Sequence, residues 1–129
     1  MSRVLFLVLA MLVLCCTNAE RTRNHDRIVA EGPPSSTGWA SIPVAGTLGW
    51  VYDPRSIARG DGKAYVWTRL PATNILVQYG FDCRRHVEAV GPIVTYSGDT
   101  IIREDLRVTD WDVISADEEP LYRASCAGA

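Results

Sequence analysis

Asn74-Ile-Leu-Val-Gln-Tyr-Gly-Phe-Asp-Cys83, NILVQYGFDC, is the stretch on which the fold turns. Ile75, Val77, Tyr79, Phe81 and Cys83 alternate with Leu76, Gln78, Gly80 and Asp82, a period of two that places the first set on one face of a β-strand. Cys83 therefore ends the strand on its buried face. The run before it, KAYVWTRL (Lys63 to Leu70), alternates in the same way: Ala64, Val66, Thr68 and Leu70 form a small aliphatic face, and Tyr65, Trp67 and Arg69 an aromatic and basic one.

Working outward, GWVYDPRSIARGDGK reads as a strand through Tyr52, a turn opened by Asp53 and Pro54, and a short helical turn at Ser56 to Ala58. Gly60, Asp61 and Gly62 then make a tight return. On the other side a strand is expected over His86 to Val90. Gly91 and Pro92 break or bulge it, IVTYS resumes, and TIIRED follows the turn at Ser97 to Asp99 as the last strand. Beyond it the period changes. Asp117 is placed as an N-cap, with Glu118 and Glu119 at the positive end of the helix dipole and Pro120 where a missing donor costs nothing. A helix from Glu118 to Cys126 then puts Cys126 within range of the strand that ends at Cys83. The class predicted is α+β, an antiparallel sheet of about six strands with a C-terminal helix packed on one face.

The N-terminal end sets the compartment expected. Met1 to Arg3 is a short basic start, and Val4 to Leu14 is an unbroken apolar run of eleven residues, too short for a bilayer, which takes roughly 20. Such a start followed by a small-residue exit at Thr17, Asn18 and Ala19 reads as a signal peptide, residues 1–19, leaving Glu20 first. The alternative route acylates Cys16 and keeps it as a lipid anchor. Either route leaves Cys83 and Cys126, and an even pair in an exported chain points to a disulfide, against two free thiols or half a metal site. Residues 20–38 are polar, with no apolar period, and read as a flexible leader in which His25 is solvated. Residues 39–129 form the domain.

Loss of Arg3 takes the formal net charge from −2 to −3, with Lys63 the only lysine, so no nucleic-acid or anionic-membrane footprint is expected. Nucleophilic catalysis needs a base, and His86, the one histidine of the domain, adjoins Arg84, Arg85 and Cys83. Glu104 with Asp105, and Asp110 with Asp112, read as solvated edges rather than acid and base pairs. GDGK lacks the spacing of a phosphate loop, and Trp50, Trp67 and Trp111 read as core packing before they read as a ligand groove. No enzyme, cofactor or metal is expected.

Taken in order, VYDPRSI, AYVWTRL, YGFDCRR, VTYSGD and TDWDVISADEEPLYRASC resemble the surface-adhesin protein E-like family of Gram-negative bacteria over Trp39 to Cys126. The resemblance implies the same sheet and helix, tied by a Cys83 to Cys126 bridge. It also implies an envelope protein, periplasmic or at the cell surface, that binds host matrix proteins such as vitronectin and laminin. One other reading stands beside the adhesin, a non-adhesive periplasmic domain whose partner is another subunit or a copy of itself held by edge pairing; an enzyme is a remote third.

Overall fold

The computed structural model describes residues 19–29, 38–42, 50–70 and 72–128. Its strands are β1 (Ala40–Ser41), β2 (Val51–Tyr52), β3 (Ala58–Gly60), β4 (Lys63–Arg69), β5 (Ile75–Asp82), β6 (Val87–Ser97), β7 (Thr100–Asp105) and β8 (Asp112–Val113). Helix α1 covers residues 19–29, and α2 is Glu119–Cys126. All the strands join one antiparallel sheet, ordered β1-β2-β4-β5-β6-β7, with β3 beside β4 and β8 beside β6.

The α+β class, the antiparallel sheet and the C-terminal helix are as expected, and the two period-two runs are the central strands. Val66 pairs with Tyr79 and Trp67 with Gln78, so the faces read from β4 and β5 stay in register across the pair. One face carries Val66, Val77, Tyr79 and Phe81 and is covered by α2 through Leu121. The opposite face carries Trp67, Leu76, Val94 and Tyr96 and packs Ile28 of α1.

Here the structure corrects the flexible leader. Residues 19–29 are helical, Ile28 is 2% exposed, and the Tyr96 hydroxyl donates to the Ile28 carbonyl at 3.1 Å. Arg21 lies 5.2 Å from the Tyr65 ring centroid. The His25 ring sits 6.1 Å from that of Trp67 and contacts Glu104 and Asp26, so His25 is largely covered rather than solvated. The helix is stabilised by tertiary contact, since the sheet would otherwise leave Trp67 and Leu76 in water. Residues 30–37 of the same stretch, and the signal peptide up to residue 18 with Cys16, lie outside the described residues.

Of the local expectations one holds in its second form and two shift. Gly91 and Pro92 bulge the strand rather than break it; β6 runs through them with a register shift opposite Val77 and Tyr79. Gly91 has φ +112, and a Cβ there would stand 2.1 Å from the Arg107 carbonyl oxygen, so only glycine fits both the turn of the chain and the neighbour. The short helical turn is Pro54–Ser56, with Ala58 already in β3, because Asp53 accepts from Arg55 N at 3.0 Å and starts it early. TIIRED is not the last strand, since β8 returns to pair Val87 and Glu88.

Asp117 is not the cap of α2. The cap is Glu118, already in helical conformation and with no side-chain cap bond. The amides of Glu118 and Glu119 both reach the Ser115 carbonyl at 3.1 Å, so a turn over residues 116–118 feeds the helix and leaves Asp117 outside it. At the other end of α2, Cys126 bonds Cys83 with a Cα separation of 5.7 Å.

Candidate functional site

Beyond its Gly91 bulge, β6 is followed on one side by a continuous rim. β7 pairs with Ile93 to Ser97, Thr109 exchanges bonds with Val90 at 2.9 Å, and β8 pairs with Val87 and Glu88. Among the described residues the rim ends the sheet, so the outward backbone groups of β7 face no further described strand. Among the described residues, the exposed large apolar side chains are Ile93 at 37%, Val108 at 43%, Ile102 and Leu106 at 63%, and Val113 at 76%. All five lie in the β6 to β8 segment.

Local structure explains why these side chains stay out. Thr95 pairs with Arg103 and Tyr96 with Ile101, so Ile102 is the extra residue of a bulge and has no partner across the ladder. After β7, Asp105 accepts from Arg107 N at 3.1 Å and from Arg107 Nε at 2.9 Å. The bonds from the Arg107 guanidinium hold the Asp105 carboxyl well below the usual carboxylate range. This tight turn fixes Leu106 and Val108 outward instead of letting the chain collapse over them.

An acidic pair lies between this rim and α2. Glu88, 8% exposed, faces Phe81 across β5 and Asp112 across β8, and its buried Oε2 has no donor. The side chain its carboxyl hydrogen-bonds is Glu118, which also accepts from Tyr79 at 3.4 Å and contacts Ser115. Two carboxyls can hydrogen-bond only if one is protonated. Burial first, then Glu118 and Asp112, push Glu88 up to about 8. Burial, followed by Glu118 and Glu88, also raises the Tyr79 hydroxyl.

The folded state thus holds a proton on Glu88 that the unfolded chain releases near the ordinary glutamate value of 4.5. Stability is full below that value and falls as pH rises towards about 8. We predict that Glu88→Gln, which keeps a donor to Glu118, is more stable than wild type at pH 8 by roughly 1–3 kcal/mol and equal to it at pH 4. Urea unfolding at the two pH values checks this, and a constant difference would contradict it.

Of the side chains singled out in the sequence, Cys83 and Cys126 are brought together. His86 is in the turn after β5, not in a strand. Its Nε2 meets Glu119 at 2.7 Å and its ring lies 4.2 Å from that of Tyr122, which ties it to α2. That contact, ahead of Arg123, lowers the Glu119 carboxyl. Trp67 is fully buried and Trp50 stacks edge-on to Tyr79 at 6.2 Å, as core packing requires, whereas Trp111 is only partly covered. Glu104 and Asp105 lie on β7 facing opposite sides of the sheet, one towards His25 and the other towards Arg107. GDGK is the return between β3 and β4. Sequence reading missed the apolar rim, for Ile102, Leu106 and Val108 have the spacing of buried strand residues; the bulge that exposes them leaves no mark of its own.

Among the described residues no helix is long and apolar enough to cross a membrane. Comparison of the chain with protein-family models, with characterised proteins and with solved structures finds no match.

Proposed function

We infer that the chain is an exported binding module of a Gram-negative envelope, similar to the surface-adhesin protein E-like proteins, that takes a protein partner along the β7 to β8 rim. The observation that carries this reading is the concentration of Ile102, Leu106, Val108 and Val113, each more than 40% exposed, along the edge that, among the described residues, β7 and β8 form on the sheet. Apolar side chains beside unpaired strand groups suit strand addition by a partner, in which main-chain bonds give affinity and side-chain contacts give specificity. The bridge between Cys83 and Cys126 is what an oxidising compartment supports.

On this reading residues 1–19 direct export, Glu20 begins the mature chain, and the partner is an extracellular matrix protein of the vitronectin or laminin kind. Acylation of Cys16 is the alternative that would fix the domain to the outer membrane. A domain working inside the periplasm on another subunit would use the same rim but never meet the outside. Protease added to intact cells separates the two: an adhesin is cut, and a periplasmic domain survives until the outer membrane is opened. Intact mass of the natural protein is expected to show Glu20 first and no acyl chains.

A further inference from the structure

We propose that residues 110–118 form a pH-gated strap over the end of β6, latched shut by a proton shared between the Glu88 and Glu118 carboxyls and opened by its loss. The strap is tied firmly at both ends and thinly in between. Before it, the Thr109 amide donates to the Val90 carbonyl at 2.9 Å, and the Thr109 hydroxyl accepts from the Val90 amide at the same distance. After it, α2 is fixed by buried Leu121, by the Tyr122 hydroxyl bond to the Cys83 carbonyl, and by the Cys83 to Cys126 bridge. Between these anchors the sheet contributes the two register pairs of β8, Val87 with Val113 and Glu88 with Asp112. Both β8 residues are exposed, and Ile114 adds one partly buried side chain to the core.

The latch lies under the middle of that span. Register puts Glu88 beside Phe81, on the face of the sheet that α2 covers, with one carboxyl oxygen buried and without a donor. The titratable groups that face it come from three elements: Tyr79 from β5, Asp112 from β8 and Glu118 from the turn before α2. None of them is a cation. The basic side chains next along α2, His86 and Arg123, are both taken by Glu119.

With the proton present, Glu88 and Glu118 bond each other, and Glu118 also takes the Ser115 and Tyr79 hydroxyls, which fastens the turn to the sheet. Without it, a buried Glu88 carboxylate faces two more carboxylates, and no cation offsets either its desolvation or the repulsion. The least costly relief is local. Lifting the strap gives Glu88 water and moves Asp112 and Glu118 away, while β4, β5 and the bridged end of α2 stay in place. Burial first, then Glu118 and Asp112, hold the closed-state proton up to about 8, against 4.5 for a glutamate in water. Each pH unit between the two values therefore favours the open strap about tenfold. On the reading of the rim as a partner site, an open strap would exchange Val113 for the bare edge of β6 and so regulate that site; the strap itself is tested without any partner.

The test is hydrogen–deuterium exchange of the purified, disulfide-bonded full chain, corrected for base catalysis and read by mass spectrometry on peptides covering residues 110–118, with β4 and β5 as the reference. In wild type, protection of residues 110–118 should fall at least about tenfold between pH 6 and pH 8, while β4 and β5 keep theirs. Glu88→Gln keeps the shape and a donor to Glu118 but has no proton to lose, so its protection should stay level over that range. Asp112→Asn, an exposed change that removes one facing charge, should make the fall shallower. A level wild-type profile, an unchanged fall in either variant, or a loss in β4 and β5 as large as that in residues 110–118 would overturn the proposal.

Discussion

Cys83→Ser is expected to lower stability by about 4 kcal/mol, the chain-entropy value for a closed loop of 43 residues, and Cys126→Ser by the same amount. The double mutant should be no worse than either single one, because both lose one shared bond. The loop spans β6, β7 and β8 as well as α2, so the bridge restricts the unfolded chain across the whole second half of the domain. In the folded state it clamps the end of α2, an eight-residue helix too short to persist without its partners. Leu121, 1% exposed, and the Tyr122 hydroxyl bond to the Cys83 carbonyl at 3.0 Å hold the same helix. Urea unfolding of the three variants measures the pattern, and thiol labelling of the unfolded, unreduced wild type should find no reaction at either residue. Additive losses would contradict a single shared bond.

Ile28→Ala should cost roughly 2–5 kcal/mol, towards the lower end. Ile28 is the apolar anchor of α1, packed among Trp67, Leu76, Val94 and Tyr96. The sheet surface beside it is partly polar: Trp67 Nε1 and both amide atoms of Gln78, its cross-strand neighbour, are buried without protein partners. Each such atom works against docking. Removing the anchor therefore undocks the helix rather than leaving a cavity beneath it, which caps the loss at the docking energy. A red shift of Trp67 fluorescence and protease cleavage within residues 20–38 of an otherwise folded protein are the expected signs. Unchanged fluorescence and cleavage would show that α1 does not depend on this contact.

The strand pairing was legible because β4 and β5 alternate without interruption, and because Cys83 and Cys126 fall at the ends of a strand and a helix. Which faces are buried was not. Period two divides Trp67 and Leu76 from Val66 and Val77 but is silent on whether a second layer covers the first set. The covering helix uses Arg21, Asn24, His25 and Ile28, a helical i, i+3, i+4, i+7 pattern in which only one residue is apolar, so hydrophobic periodicity passes over it. Strands β1, β2 and β8 are two residues each, shorter than any periodicity. Gly91 and Pro92 mark a bulge that the ladder bridges, since the carbonyl of Arg107 occupies the space beside Gly91. At α2, Asp117 has the residue type of a cap, but the Ser115 carbonyl takes the free amides first. The apolar rim is invisible because it is made by tertiary placement of residues that look ordinary in order.

The central claim is that the β7 to β8 rim is where this domain meets its protein partner. The direct measurement is surface plasmon resonance of the purified domain over immobilised vitronectin and laminin, comparing wild type with Ile102→Asp, Leu106→Asp and the double variant. These side chains are 63% exposed and belong to neither core cluster, so the variants should keep wild-type stability within about 0.5 kcal/mol. Saturable binding by wild type to at least one of the two proteins, weakened at least about tenfold in each single variant and abolished in the double, is the result predicted. Wild-type binding that survives the double substitution, or no binding to either protein, would contradict the claim.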